Sequence, residues 1–460
     1  MKPDLGFIAR TLNPVMENHT TDNLDLAGVS IDTRTLTPGQ LFAALKGPSF
    51  DGHQFIPQAI KGGASALLVE QDWQGSAAVP VIRVQGVLDA LTRLARAWRQ
   101  KVNPVVIAVT GSSGKTTVKE MIALCLGQHF TRVHATRGNL NNHIGLPLTL
   151  LAMSSDCQTL VVEMGMSAAG EISHLAWVAQ PTIGVVTNVH PAHMAAFASL
   201  EDIARAKGEL LQALPHDGVA IYPSQRWETP LLSEMARPRL ELSFGTDEKA
   251  QVSARNVVTQ DGKVGFDLHL PPGIMTPLHL DAPGQHMLAN ALAAAAAAHA
   301  AQTLLTAIAR GLSQFRLQKG RGQMITTPNG WFVIDDTYNA NPGSMTAALA
   351  RLGDEQGSRR IAVLGDMLEL GEMSKSMHEG LATAVIDAGV SRLFTTGKLM
   401  HHLADSLARH PAIQVDHRHD AGDWIGVLPG LCQPGDRILV KGSRGMKMER
   451  IVEDLCNHAV

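Results

Sequence analysis

Cysteine is scarce: 4 among 460 residues, Cys125, Cys157, Cys432 and Cys456. None falls in a CxxC pair or in metal-ligand spacing. That sets aside a disulfide framework and leaves isolated thiols, which suit a reducing cytosol. Long apolar runs are missing as well. The start, MKPDLGFIARTLNP, lacks the apolar core of a signal peptide. Nowhere do about 18 strongly apolar residues follow one another, so no membrane insertion is expected. Excess charge of either sign is also absent. The 39 Lys and Arg against 42 Asp and Glu leave a net charge of −3, with no electrostatic reason to expect nucleic acid. There is no internal repeat, coiled coil or disordered tract. What remains is an ordinary packed composition, 45% hydrophobic and 18% charged, expected in the cytoplasm and as a monomer.

A chain of this length exceeds a single core and predicts several domains. The first hundred residues hold short strand-like runs, SALLVE and VPVIRV, and end in a helical stretch, VLDALTRLARAWRQKV. Asn103-Pro104 breaks that helix. Short all-apolar strands then alternate with helices: VVIAVT, TLVVEMG and TIGVVTNV. This is the pattern of a parallel sheet covered on both faces. Residues 250–282 read as β-hairpins, followed by a helix through HMLANALAAAAAAHAAQ. A second strand–helix series begins near GWFVIDDTYNA and runs through RIAVLGDMLELG, RLFTTG and RILVKGSRG. The expected class is α/β in three units, 1–102, 103–315 and 316–460.

The chemistry starts at IAVTGSSGKTT, residues 107–117. A strand, a Gly-rich turn and a helix start aim backbone N–H groups and a positive helix end at a phosphate. Gly111 and Gly114 permit the turn, with Ser112 and Ser113 between them. Lys115 offers a cation to the β/γ-phosphates, and Thr116 a hydroxyl to Mg²⁺, with Thr117 behind it. The general phosphate-loop spacing wants a further glycine where Val109 stands. From the loop alone, a defective site, a chance turn and a different ATP-using enzyme all stay open.

Other polar residues follow other apolar strands, where open parallel sheets gather their ligands. Glu163 ends LVVE, placed to coordinate Mg²⁺ directly or through water; its plainer reading is an ordinary strand-end acid. Asn188, His190 and His193 follow TIGVVT. The His-x-x-His pair is weak as a zinc signal because no third ligand suggests itself. Lys207 lies on a probable helix, where a solvated lysine is the default. Asp335, Asp336, Tyr338, Asn339 and Asn341 follow the strand of the second series, and Asp366, Lys441, Ser443 and Arg444 follow two more. Two α/β units with polar strand ends suggest a ligand held between domains.

Eight stretches in order resemble the Mur ligases across nearly the whole chain: VTGSSGKTTVKEMIA, TRGNLNNHIGLPLTLL, VVEMGM, TNVHPAHM, ARAKGEL, DDTYNANPGSM, LGDMLELG and VKGSRGMKMERIV. The resemblance implies an N-terminal UDP-sugar binder, a central phosphate-loop ATPase and a C-terminal Rossmann-like domain. It also implies the short loop T-G-x-x-G-K-T/S, in which Val109 is expected. The implied reaction is ATP-dependent amide formation through an acyl phosphate. DDTYNANPGSM is similar to the branch that joins D-Ala-D-Ala to UDP-N-acetylmuramoyl-tripeptide (UDP-MurNAc-tripeptide). The sibling branch that adds the third amino acid, the nearest alternative, has a DYAHTPD-like motif there. Folylpolyglutamate synthase shares the central loop but not the N-terminal domain. A phosphate-loop switch or motor would need a base motif or oligomeric arrangement not evident here.

Residue by residue, the resemblance puts Lys115 and Mg²⁺ on the phosphates, and Thr116 and Glu163 on the magnesium beside the loop. His193 and Lys207 match positions serving a second magnesium, and family members commonly carbamylate that lysine. Asn290 matches an asparagine packed on adenine, although Met287 stands where the family usually has Asn. Arg321 and Asp336, with Tyr338 and Asn339, match residues that reach the nucleotide from the C-terminal side. In SIDTRTLTPGQLFAALKGPSFDGHQFI the implied UDP-site candidates are Ser30, Thr33, Arg34, Lys46, Asp51 and His53. By itself that segment reads as a turn-rich β region. Asn139, Asn141 and Asn142 are expected along the path of the sugar-peptide, and Asp366, Ser443 and Arg444 on the dipeptide side.

Overall fold

The computed structural model describes residues 3–13, 15–17, 24–191, 194, 196–260, 263–355 and 359–458. Three sheets divide the chain. The first has five strands in the order Val15–Glu17, Val81–Val84, Ala66–Glu70, Gln40–Ala43, Gly28–Ser30, parallel except for its first pair. Its last helix, Val87–Val102, is the predicted amphipathic stretch and stops at Asn103 in the left-handed conformation. This helix ties the first unit to the next. Trp98 Nε1 donates to Met153 O at 3.0 Å, and Arg99 donates to Ala179 O at 2.9 Å and Gln180 O at 2.8 Å.

The central sheet has nine strands. Val133–Ala135, Thr159–Glu163, Val105–Thr110, Ile183–Val186, Val219–Pro223, Leu240–Gly245 and Val252–Gln260 run parallel in that spatial order. The predicted hairpins, Lys263–Leu270 and Ile274–Leu280, extend it antiparallel. Its apolar strands are buried on both faces, as the continuous runs required. The helix Gln285–Ala300 packs against the helix Lys115–Gly127, and Ala291 to Ala298 are all fully buried along it. Small side chains let that helix lie close.

The third sheet orders Gln323–Thr326, Phe332–Asp336, Arg437–Lys441, Arg360–Gly365, Arg392–Thr396, Gln414–Arg418, parallel except for the first pair. Arg437–Lys441 comes last in the chain yet sits between earlier strands, so the strand order reverses beside it. A crevice at the carboxyl ends is the expected ligand position in such a sheet.

Candidate active site

A cleft of about 1850 Å³ is lined both by the central unit and by the C-terminal one. On the central side, Val105–Thr110 runs into Gly111 (φ 149°) and Gly114 (φ 78°), and the helix starts at Lys115. Only glycine fits either place. A Cβ on Gly111 would lie 1.9 Å from Thr187 Oγ1, and one on Gly114 2.5 Å from Asn290 Oδ1. The neighbouring strand end clips the loop between them. Ser113 N–H donates to Asn188 Oδ1 at 2.9 Å, and Ser113 O accepts from Thr187 Oγ1 at 2.6 Å and Asn188 Nδ2 at 3.1 Å. Ser112 Oγ donates to His190 O at 2.8 Å. A phosphate cradle is therefore braced before any anion arrives.

Lys115 bends back to donate to Gly111 O at 2.7 Å. Burial lowers its pKa from the ordinary lysine value; Glu163 opposes that effect and Arg321 adds to it. Strand register sets Glu163 beside Val109. The Glu163 carboxylate is buried and has one bond on each oxygen, accepting from Thr116 Oγ1 at 2.6 Å and Asn141 Nδ2 at 2.8 Å. A hydroxyl and a carboxylate at a phosphate loop are hard oxygen donors of the kind magnesium takes, together with phosphate oxygens. These residues fit the ion.

Lys207 is 2% exposed on the helix Leu200–Gln212. Desolvation, with repulsion from Lys115, holds its pKa well below the ordinary value. His190 is likewise pushed down by burial, then by Arg226 and Lys207. His193 lies outside the described residues.

The C-terminal unit supplies the facing wall. Arg321 Nη2 donates to Thr116 Oγ1 at 3.0 Å, and its guanidinium lies 3.9 Å over the Tyr338 ring. Lys441 Nζ donates to Asp336 Oδ2 at 2.6 Å and to Asn339 O at 2.9 Å. Asp335, its neighbour, turns away; it accepts from Gly320 N and Thr337 Oγ1 and shapes the turn from behind. Asn290 lines the cleft and donates to Met287 Sδ at 3.8 Å, so the sulfur at 287 takes a weak acceptor's part. Thr117 lines it too.

Other candidates stand elsewhere. Ser30, Thr33, Arg34, Lys46, Asp51 and His53 do not line this cleft. Arg34 is exposed and paired with Asp32 at 2.6 Å. The His53 ring bridges Asp51 Oδ1 at 2.6 Å and Glu70 N–H at 3.1 Å, which requires its neutral tautomer with Nε2 as acceptor. Asn142 lines the cleft while its Oδ1 accepts from Ile144 N and Gly145 N, just ahead of the helix Gly145–Leu151; Asn139 is exposed and outside the cleft. Asp366 accepts from Leu399 N and Met400 N, and Ser443 Oγ accepts from Leu368 N. Arg444 remains exposed, 3.5 Å from Glu449.

Sequence reasoning did not single out Arg351, His286 or His143, all of which line the cleft. Arg351 is buried, donates to Gly322 O and leaves its Nε without a partner. The available signal was an arginine on the apolar face of MTAALARLG. A second cavity, about 540 Å³, shares His143 and His174 with the cleft and continues to Leu88, Asp89, Thr92 and Trp177, at the seam with the N-terminal unit.

Comparison with known proteins agrees in all three units. Residues 25–99 match the Mur ligase family catalytic domain, 109–298 the Mur ligase middle domain and 320–444 the Mur ligase glutamate ligase domain. The chain is 38% identical over 462 residues to a UDP-N-acetylmuramoyl-tripeptide–D-alanyl-D-alanine ligase of Bacillus subtilis, covering 99% of this chain and 98% of that one. A crystal structure of MurF from Acinetobacter baumannii matches with TM-score 0.90 and 31% identity, over 100% of this chain and 99% of that one. MurF ligase from Thermotoga maritima in complex with ADP matches with TM-score 0.81 and 28% identity, over 93% and 96%.

Proposed function

The chain belongs to the Mur ligase family and is an ATP-dependent ligase that joins D-alanyl-D-alanine to UDP-N-acetylmuramoyl-tripeptide in peptidoglycan synthesis; from that premise we propose how its residues divide the work. The carrying observation is that the braced phosphate loop and the polar strand ends of the C-terminal unit face one another across a single cleft.

In this reading the tripeptide's terminal carboxylate attacks the γ-phosphate of ATP, giving an acyl phosphate and ADP. The amine of D-Ala-D-Ala then attacks the acyl carbon and phosphate leaves. Two anions meet in the first step, so positioning and charge neutralisation carry most of the catalysis. Gly111, Ser112, Ser113, Gly114 and Thr117 cradle the phosphates, and Lys115 neutralises them. Thr116 and Glu163 would hold Mg²⁺, which would supply further charge neutralisation at the phosphates. Asn290, Arg321, Asp336, Tyr338 and Asn339 enclose the nucleoside side.

Lys207, with His193, would serve a second magnesium position. Its depressed pKa leaves the neutral amine that can add CO₂ as a carbamate and release a proton. Intact mass in bicarbonate tests this: no added CO₂ on Lys207 would count against it.

The UDP end of the substrate lies on Ser30, Thr33, Arg34, Lys46, Asp51 and His53, and the sugar-peptide runs past Asn139, Asn141 and Asn142. The second cavity, at the seam between the units, supports that route. Asp366 and Ser443 act from behind on the dipeptide side, their side chains being spent on backbone N–H groups, and Arg444, exposed and paired only at the surface with Glu449, is the cation for the dipeptide's carboxylate. The domains divide at 102/103 and 315/316. No helix among the described residues is long and apolar enough to cross a membrane; the enzyme works as a cytoplasmic monomer.

ADP release measured with UDP-MurNAc-tripeptide, with and without D-Ala-D-Ala, tests the reading. Release indifferent to both substrates would overturn it. Replacing Lys115 by Ala should lower kcat by about 10²–10³ with the fold intact.

A further inference from the structure

We propose that Asn341 is a positioning residue that latches the C-terminal unit onto the phosphate loop, a role that rests on the ligase reading above. Asn341 is the N-cap of the helix Pro342–Asp354, within a reciprocal capping box. Its Oδ1 accepts from Ser344 N–H at 2.8 Å, and Ser344 Oγ accepts from Asn341 N–H at 3.0 Å. Those bonds satisfy two of the donors a helix start leaves open.

Capping also fixes which way the amide faces. Because the oxygen must meet Ser344 N–H, the NH₂ is turned the other way. There Nδ2 donates to Ser113 Oγ at 3.1 Å and lies 3.5 Å from Ser112 O. Ser113 is 228 residues distant and sits in the middle of the phosphate loop. Its backbone N–H and C=O are already held by Asn188 and Thr187. The Ser113 hydroxyl is thus the part of the loop that the C-terminal unit can grip. One side chain therefore joins the start of a C-terminal helix to the phosphate cradle.

A second link between the units, Arg321 to Thr116, uses two residues assigned to the nucleotide and its metal. Asn341 differs. Its bonds go to protein on both sides, so it acts through the loop and through domain engagement. If the engaged arrangement is the productive one, losing the latch lowers the competent fraction. The loss falls on ATP. The UDP-tripeptide, which meets the N-terminal and central units, keeps its KM.

Serine caps helices as well as asparagine does but is too short to reach Ser113. Asn341→Ser should therefore keep the thermal midpoint and lower kcat/KM for ATP about three- to tenfold, the worth of one hydrogen bond. The KM for UDP-MurNAc-tripeptide should not move. Asn341→Ala should lose cap and latch together, lowering the midpoint as well. In a Ser113→Ala background, Asn341→Ser should cost nothing further, since its partner is already gone. Unchanged ATP kinetics in Asn341→Ser, or an equal loss in both backgrounds, would overturn the latch. Should Asn341→Ser not fold, Asn341→Asp is a second capping variant that lacks the donor. Calorimetric binding of a non-hydrolysable ATP analogue to the same variants reads the latch without turnover. A wild-type enzyme that binds the analogue but does not ligate would count against the ligase reading, and the same cycle on analogue affinity would still decide the latch.

Discussion

Lys441 Nζ lies 2.6 Å from Asp336 Oδ2, with the lysine side chain 3% exposed and the aspartate 23%. The two residues are direct register partners on adjacent parallel strands. The second bond from Lys441, to Asn339 O, fixes the turn that carries Tyr338 and Asn341. A largely buried pair of this kind stabilises little over an apolar pair, but removing one member strands the other's charge. Lys441→Met should cost about 3 kcal/mol, at the low end because Asp336 is partly wetted. Urea unfolding followed by tryptophan fluorescence measures it. Adding Asp336→Leu should recover stability but not ATP affinity.

How much of this was legible in the sequence depends on range. The phosphate loop is local: an apolar strand, two forced glycines and a helix start lie within eleven residues, and each element states its own geometry. The sheet series was legible for the same reason, since runs such as VVIAVT are buried wherever they go. The Lys441–Asp336 pair was not. It depends on a strand from the end of the chain inserting beside one 105 residues earlier, and no local pattern encodes that register. Asp366 and Ser443 show the converse. Polar residues after strands read as ligand groups, but each also answers a nearby backbone N–H, and only the packed fold reveals which demand comes first.

Gly111→Ala tests the brace on the loop. The added Cβ meets Thr187 Oγ1 at 1.9 Å, and that hydroxyl is already committed to Ser113 O. Either the loop or the Thr187 bond must yield, at about 1–3 kcal/mol. ATP affinity by calorimetry should fall more than about tenfold, or 1.4 kcal/mol. In a Thr187→Ala background the same substitution should do less damage than the sum of the two single changes.

Glu163→Gln removes the charge and keeps the shape. The Thr116 hydroxyl can rotate to accept from the new amide, so the fold should survive with its melting temperature nearly unchanged. What should change is the Mg²⁺ dependence of ADP release. The half-maximal concentration should rise at least about tenfold, and EDTA should abolish turnover in both forms. An unaltered Mg²⁺ titration would remove Glu163 from the metal site.

Lys207 gives a prediction in pH. Its pKa in the folded protein lies well below the ordinary lysine value, because burial and then Lys115 disfavour the charged form. The unfolded chain therefore binds more protons at this position than the folded one, from the lowered pKa up to about 10.5. Stability rises with pH wherever the unfolded state holds the extra proton. Above that window both states are neutral and nothing is lost. As pH falls through it, the folded state pays a growing penalty, which levels off below the lowered pKa. Lys207→Met removes this term. The variant should be more stable than wild type near neutral pH, and the difference should shrink as pH rises, by at most about 1.4 kcal/mol per pH unit. Urea denaturation of both forms at pH 7, 8, 9 and 10 measures it, with ligation lost in the variant throughout. A stability difference independent of pH would mean that Lys207 carries the same proton in both states, and the neutral amine needed for carbamate formation would lose its support.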